Sequence, residues 1–230
     1  MSAASTLRIA RLVAAKDLRI EWRSRVVTNQ VLPFAALTMA MFAFALDNDD
    51  VLTRVAPGLV WLACLFAVLV VVQRSFAVET ADGALDAMRV AGVRPDGIFL
   101  GKSIALAAQL AALQVVLLLS AVVLYRAQLA LDGLLLLVVT FVAATCGLAF
   151  VGTLYGGLAA GAKGRETLLP LLLLPVVAPV LIGATRATEA ALGTNGASPG
   201  EGWPWIGLLV LFAALFGTGG MFAFGSLIDE

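Results

Sequence analysis

Six stretches of this chain contain no Asp, Glu, Lys or Arg, and each is 19 to 27 residues long: 26–46, 55–73, 103–125, 134–160, 167–185 and 206–228. A helix rising ~1.5 Å per residue needs about 20 apolar residues to cross the hydrocarbon core of a bilayer. In lipid, backbone amides and carbonyls must bond inside the protein, so runs this long are helices rather than strands. The pattern predicts an all-α membrane protein with six transmembrane helices, organised as one domain over residues 1–230. Charge density agrees. Only 13% of residues are charged, about half the share of a soluble domain, which is too few to cover a water-facing surface.

Orientation follows from the cations. Arg8, Arg11, Lys16, Arg19, Arg23 and Arg25 precede the first run. Arg74, Arg89, Arg94 and Lys102 lie between the second and third, and Lys163 and Arg165 between the fourth and fifth. Only Arg54, Arg126 and Arg186 fall on the other side. Both termini are expected in the cytoplasm. Residues 74–102 then form a cytoplasmic loop, and 186–205 form the longest outer loop, with Trp203 and Trp205 suited to the interface. The first 25 residues lack the short apolar core of a cleavable signal. Their pattern predicts a helix lying along the cytoplasmic interface, with Ile9, Val13 and Ile20 on its apolar face and Trp22 at headgroup level.

Proline and glycine mark special places. Pro57-Gly58 falls at the expected start of the second span, where a missing amide costs little. Pro170, Pro175 and Pro179 fall inside the fifth span, and each removes a helical hydrogen bond, so a kinked or broken helix is expected. Gly152/Gly156 and Gly157/Gly161 are small-residue pairs that let helix backbones approach closely.

Several function classes find no support. The chain has no histidine and a net charge of zero, so imidazole catalysis, His-ligated metals and nucleic-acid binding are not expected. Cys64 and Cys146 lie in separate apolar runs and read as small buried residues. The segment GIFLGKS, residues 97–103, has three residues between its glycines where a nucleotide loop has four, and it opens a membrane span. Lys102 reads more simply as an anchor at the membrane surface. Polar residues within the spans (Thr38, Gln109, Gln114, Ser120, Thr140, Thr145 and Thr153) read as interhelical hydrogen-bonding groups.

The one patterned polar segment is 78–89. Val78, Ala81, Leu85 and Met88 recur at helical spacing, as do Glu79, Asp82, Asp86 and Arg89, which predicts a short amphipathic helix. Gly92 and Arg94-Pro95 supply its stop signal. Either it is an idle interfacial helix, or its acidic face docks a cytoplasmic partner. A bundle with no energy source of its own favours docking.

The stretch TRVAPGLVWLACLFAVLVVVQRSFAVETADGALDAM, residues 53–88, resembles the haem exporter protein B family, the permease of the cytochrome c maturation ABC transporter. The carrying features are A-P-G-x-x-W at the second span, Arg74 and Phe76 at its end, and the E-x-x-D-G-x-L pattern of Glu79, Asp82, Gly83 and Leu85. LLLLPVVAPVLIGATRATEAA resembles that family's fifth span, and KDLRIEWRSR its N-terminal segment. Gln73 departs from the pattern, which would place an acidic residue there, and 92–95 carries fewer prolines and leucines.

The resemblance implies an ABC-2-type (type II-like) exporter permease in the bacterial inner membrane. It implies a separate soluble ATPase that binds ATP, a companion haem-handling membrane protein, a haem chaperone, and function as two copies in a lipid bilayer. Haem would be the handled species. Residues Glu79, Asp82, Gly83, Leu85, Asp86, Met88 and Arg89 would form the coupling helix seated in the ATPase. Alternative readings are an exporter permease for a lipid or drug, a non-transporting assembly scaffold, or a stand-alone secondary transporter.

Overall fold

A computed structural model describes residues 3–25, 27–46, 48–81, 83–125, 131–160 and 165–229. Helix α1 (Ala3–Ser24) is followed by a π-helical turn (Val27–Val31) that runs into α2 (Leu32–Ala45). Then come α3 (Asp49–Ala81), the short α4 (Ala84–Val90), α5 (Pro95–Tyr125), α6 (Leu134–Ala160), α7 (Arg165–Leu192), a 3-10 turn (Thr194–Gly196) and α8 (Pro199–Asp229). Among the described residues, six helices are long and apolar enough to span a membrane: the one comprising the π turn and α2, then α3, α5, α6, α7 and α8. An even number of spans puts α1 and the end of α8 at the same end of the bundle, called here the α1 end.

The helices overrun the apolar stretches because the flanking polar residues cap them. Asn48 Oδ1 accepts the amides of Asp50 and Val51, at 2.9 and 3.2 Å. Asp49 and Asp50 in the first turn suit the positive end of the helix dipole. Helix α3 therefore begins well before residue 55, and Pro57 lies two turns inside it. At α8, Glu201 reaches back over the first turn to Ser198, one half of a capping box: the Ser198 hydroxyl and amide both donate to Glu201 Oε1, at 2.8 and 3.2 Å, ahead of Pro199 in the first turn.

Helical extension corrects two expected loops. Residues 186–192 continue α7 and 199–205 begin α8, so the outer loop shrinks to 193–198. The 74–102 loop is mostly helix, because α3 runs through Ala81 and α5 starts at Pro95. Helix α7 runs as one continuous element through Pro170, Pro175 and Pro179, so the prolines do not break it into two helices.

Helix α6 is the hub and touches α3, α5, α7 and α8. Small residues make that possible. A Cβ on Gly156 would lie 2.5 Å from Phe76 of α3, and one on Gly157 would lie 2.6 Å from Phe224 of α8. The core includes Trp61, Phe99, Leu110, Leu148 and Phe224. Trp61 Nε1 donates to Thr188 Oγ1 of α7 at 2.9 Å, and Tyr125 OH donates to the Met39 carbonyl at 2.7 Å, which binds α2 to α5. Apolar side chains such as Phe44, Val123, Leu211 and Phe222 point outward, as a lipid-facing surface requires. Thr38, Ser120 and Thr140 bond carbonyls of their own helices, whereas Thr145 reaches Gln114 across to α5 at 2.8 Å. Cys64 is buried and Cys146 half-buried, both free thiols.

Candidate functional site

The α1 end owes its geometry to two glycines. A Cβ on Gly97 would lie 2.6 Å from Ile9 Cγ2, and one on Gly101 would lie 2.6 Å from Val13 Cβ and 2.7 Å from the Ala10 carbonyl. Their four-residue spacing clears a groove on α5 into which α1 packs. Thr6 Oγ1 donates to Asp96 Oδ2 at 3.0 Å at one end of this contact. The row on α1 that faces protein is Thr6, Ala10, Val13, Ala14 and Asp17, all buried. Of the three apolar residues expected to face lipid, Val13 and Ile9 pack on α5 and Ile20 is exposed. Helix α1 is thus a docked part of the bundle as well as a surface helix.

Docking brings four charges together. Lys102 Nζ lies 2.8 Å from Glu79 Oε2 of α3 and 3.2 Å from Asp17 Oδ2 of α1. It also donates to Ser75 Oγ at 3.1 Å and sits 4.5 Å from the centroid of Phe76. Lys16 pairs with Asp17 at 3.2 Å and contacts the other oxygen of Glu79. The Lys102 and Glu79 side chains are 2% and 3% exposed, whereas Lys16 is 38% exposed, so the four charges form a balanced tie across α1, α3 and α5 that is nearly dry at Lys102 and open to solvent at Lys16. The Lys102–Glu79 contact has ion-pair length without hydrogen-bond angles, so Coulomb attraction carries it. A cavity of about 40 Å³ beside it is lined by Asp17, Glu21, Ser24, Arg74, Ser75, Glu79 and Gln109, among others. Burial works to lower the Lys16 pKa, but the Glu79 and Asp17 carboxylates outweigh it, and the ammonium ends above its ordinary value. Among the described residues no His, Cys, Asp and Glu group is arranged to hold a metal ion.

Lys102 is therefore a buried ionic hub rather than the expected surface anchor. The expected single helix over 78–89 is two helices. Gly83 adopts φ +61° and Gly92 φ +67°, so α4 is a seven-residue helix between two left-handed glycine joints. Val93 N bonds the Met88 carbonyl at 3.0 Å, which closes α4 with a Schellman motif around Gly92. The break resets helical phase. Glu79 faces inward, off the acidic row expected to include it. Met88 packs against the core, and Ala87 and Val90 are exposed. Asp82 and Gly161 lie outside the described residues, as do the side chains of Leu85, Asp86 and Arg89.

Of the other expected packing residues, Gly152 lies against Val72 and Leu106, with Gly156 one turn on. Gly156 matters to the site because it makes room for the Phe76 ring beside Lys102. Nothing in the spacing of Lys16, Asp17, Ser75 and Lys102 along the chain announces that they meet. One signal was present: G-x-x-x-G at 97–101 marks a close helix contact, directly followed by the lysine.

The chain is similar to known proteins along most of its length. The family model described as CcmB protein matches residues 8–226. Heme exporter protein B of Rhodobacter capsulatus is 30% identical over 191 residues, covering 80% of this chain and 84% of the relative. Its namesake in Pseudomonas aeruginosa is 28% identical over 215 residues, covering 89% and 87%. That of Escherichia coli K12 is 28% identical over 223 residues, covering 88% of each chain.

Proposed function

Because the chain belongs to the CcmB protein family, we infer that it is a membrane component of the haem-export ABC transporter of cytochrome c maturation. It is a multi-pass permease and a non-catalytic component. The finer reading places it in the bacterial inner membrane with the α1 end in the cytoplasm, working as two copies. It receives work from a separate ATPase and assembles with a haem-handling membrane protein and a haem chaperone. Haem meets this chain by apolar contact, and axial ligation by imidazole belongs to another chain, because this one carries no histidine.

One observation carries the coupling reading. Helix α4 is joined to α3 through Gly83, and the last turns of α3 are clamped by Glu79 to Lys102 of α5 and Lys16 of α1. A push on α4 from a cytoplasmic ATPase passes into α3, α5 and α1 together, because separating them exposes buried charge to an apolar surround. The tie makes three helices one lever.

The test is maturation of c-type cytochromes in a strain lacking the chromosomal copy, with ATPase activity measured on the purified complex. Charge reversal E79K leaves insertion intact and uncouples ATP hydrolysis from maturation. The swap E79K/K102E restores part of it. Full maturation by E79K, or maturation without any ATPase, refutes the coupling role and favours a scaffold or a self-driven transporter.

A further inference from the structure

The first helix carries a second face that the ionic tie leaves unused. Opposite the row packed on α5, Arg8, Arg19 and Arg23 are exposed, as is Arg25 in the turn that follows. Trp22 stands beside them at 82% exposure, and Leu18, next to Trp22 around the helix, is exposed as well. Arg74 of α3 is exposed nearby, where it shares a cavity wall with Ser24.

The surrounding carboxylates are already engaged. Asp17 and Glu79 are held by Lys16 and Lys102, and Glu21 accepts the amide of Val27 at 2.7 Å. Arg19, Arg23, Arg25 and Arg74 have no carboxylate partner among the described residues.

Position decides what meets this face. The first membrane-length helix begins at Val27, two residues after Arg25, so Trp22 to Arg25 lie at headgroup depth. An exposed indole is favoured at that depth, with one side apolar and the other wet. Guanidinium groups there meet phosphate oxygens, which they bind in fork geometry. A purely aqueous partner would satisfy the arginines and leave Trp22 and Leu18 without apolar cover.

We propose that the elbow between α1 and α2, built from Arg19, Trp22, Arg23 and Arg25 with Arg74 alongside, is a binding surface for anionic phospholipid headgroups of the leaflet at the α1 end. The inner face of α1 docks on protein, and its outer face docks on lipid charge. The inference needs only the membrane assignment and stands apart from the coupling role.

The full-length chain in mild detergent is loaded with equal phosphatidylglycerol and phosphatidylethanolamine, and retained lipid is counted by native mass spectrometry. Wild type retains phosphatidylglycerol preferentially. R19Q/R23Q/R25Q loses that preference by about tenfold or more, whereas R54Q, on the other side, keeps it. A disulfide formed by T6C/D96C in the same background reports that α1 remains docked. Should the triple variant loosen α1, R23Q alone lowers the preference about fivefold. Unchanged phosphatidylglycerol retention in these variants overturns the proposal. Loss of a co-purifying soluble protein with lipid preference intact also overturns it, and makes the surface a protein contact instead.

Discussion

Lys102 of α5 holds its ammonium 2.8 Å from Glu79 Oε2 of α3, and both side chains are almost wholly withdrawn from solvent. Between them the chain passes through a hinge, a short helix and a turn. Their contact joins the two helices on either side of α4.

Removing Glu79 leaves Lys102 and Lys16 to share the single carboxylate of Asp17, so one buried positive charge goes uncompensated. E79Q is expected to destabilise the protein by about 3–5 kcal/mol. The apolar double replacement E79L/K102M is expected to cost much less than the two single changes combined, because it removes both charges together. Thermal unfolding of the purified chain in detergent, run as a double-mutant cycle, measures the coupling directly.

Close approach of α1 to α5 depends on a missing side chain. G101V drives a Cβ into Val13 and the Ala10 carbonyl, at a cost of about 1–3 kcal/mol. Spin labels at R11C and I104C are expected to move apart in this variant, measured as a pulsed-EPR distance.

Lys16 sets a limit at high pH. Burial tends to lower its pKa, yet Glu79 and Asp17 raise it above the ordinary 10.5. The native state then holds this proton more tightly than the unfolded chain. The stabilisation is complete below about 10.5 and is lost as pH rises through the raised native value. The same EPR distance is expected to stay constant through neutral and mildly alkaline pH and to lengthen above pH ~10.5, with K16M showing no such alkaline step.

Trp61 and Thr188 bind α3 to α7 through one buried hydrogen bond of 2.9 Å. T188V leaves the indole N–H without its acceptor and is expected to cost about 1–3 kcal/mol. T188S, which keeps the hydroxyl, is expected to cost less. Chemical unfolding in mixed micelles separates the two.

Helix α4 ends on Gly92 at φ +67°, where a side chain strains the backbone. G92A is expected to destabilise α4 by about 1 kcal/mol, seen as faster hydrogen exchange over residues 84–90. G92N is expected to be milder, because Asn tolerates the left-handed region better.

Some features were legible from local pattern alone. The apolar runs place six spans, since burying a charge in lipid is costly wherever it falls. Gly92 and Pro95 mark the end of a helix by their own backbone limits. The glycines of α6 mark close packing for the same kind of reason. The ends of helices were less legible. Asn48 and the Glu201–Ser198 contact extend α3 and α8 beyond the apolar stretch, because capping works on backbone amides and is indifferent to hydropathy.

The amino-acid order by itself settled the class, the number of spans and the helix stop at Gly92, because each depends on a residue and its near neighbours. Only the tertiary structure decided what the charges do. Glu79 shares a spacing with Asp82 and Asp86, but the helix breaks at Gly83 and turns Glu79 inward instead. Lys102 looks like a surface anchor until α1 closes over it along Gly97 and Gly101. Whether a charge is solvated or paired depends on what the rest of the chain packs against it, and no local periodicity carries that information.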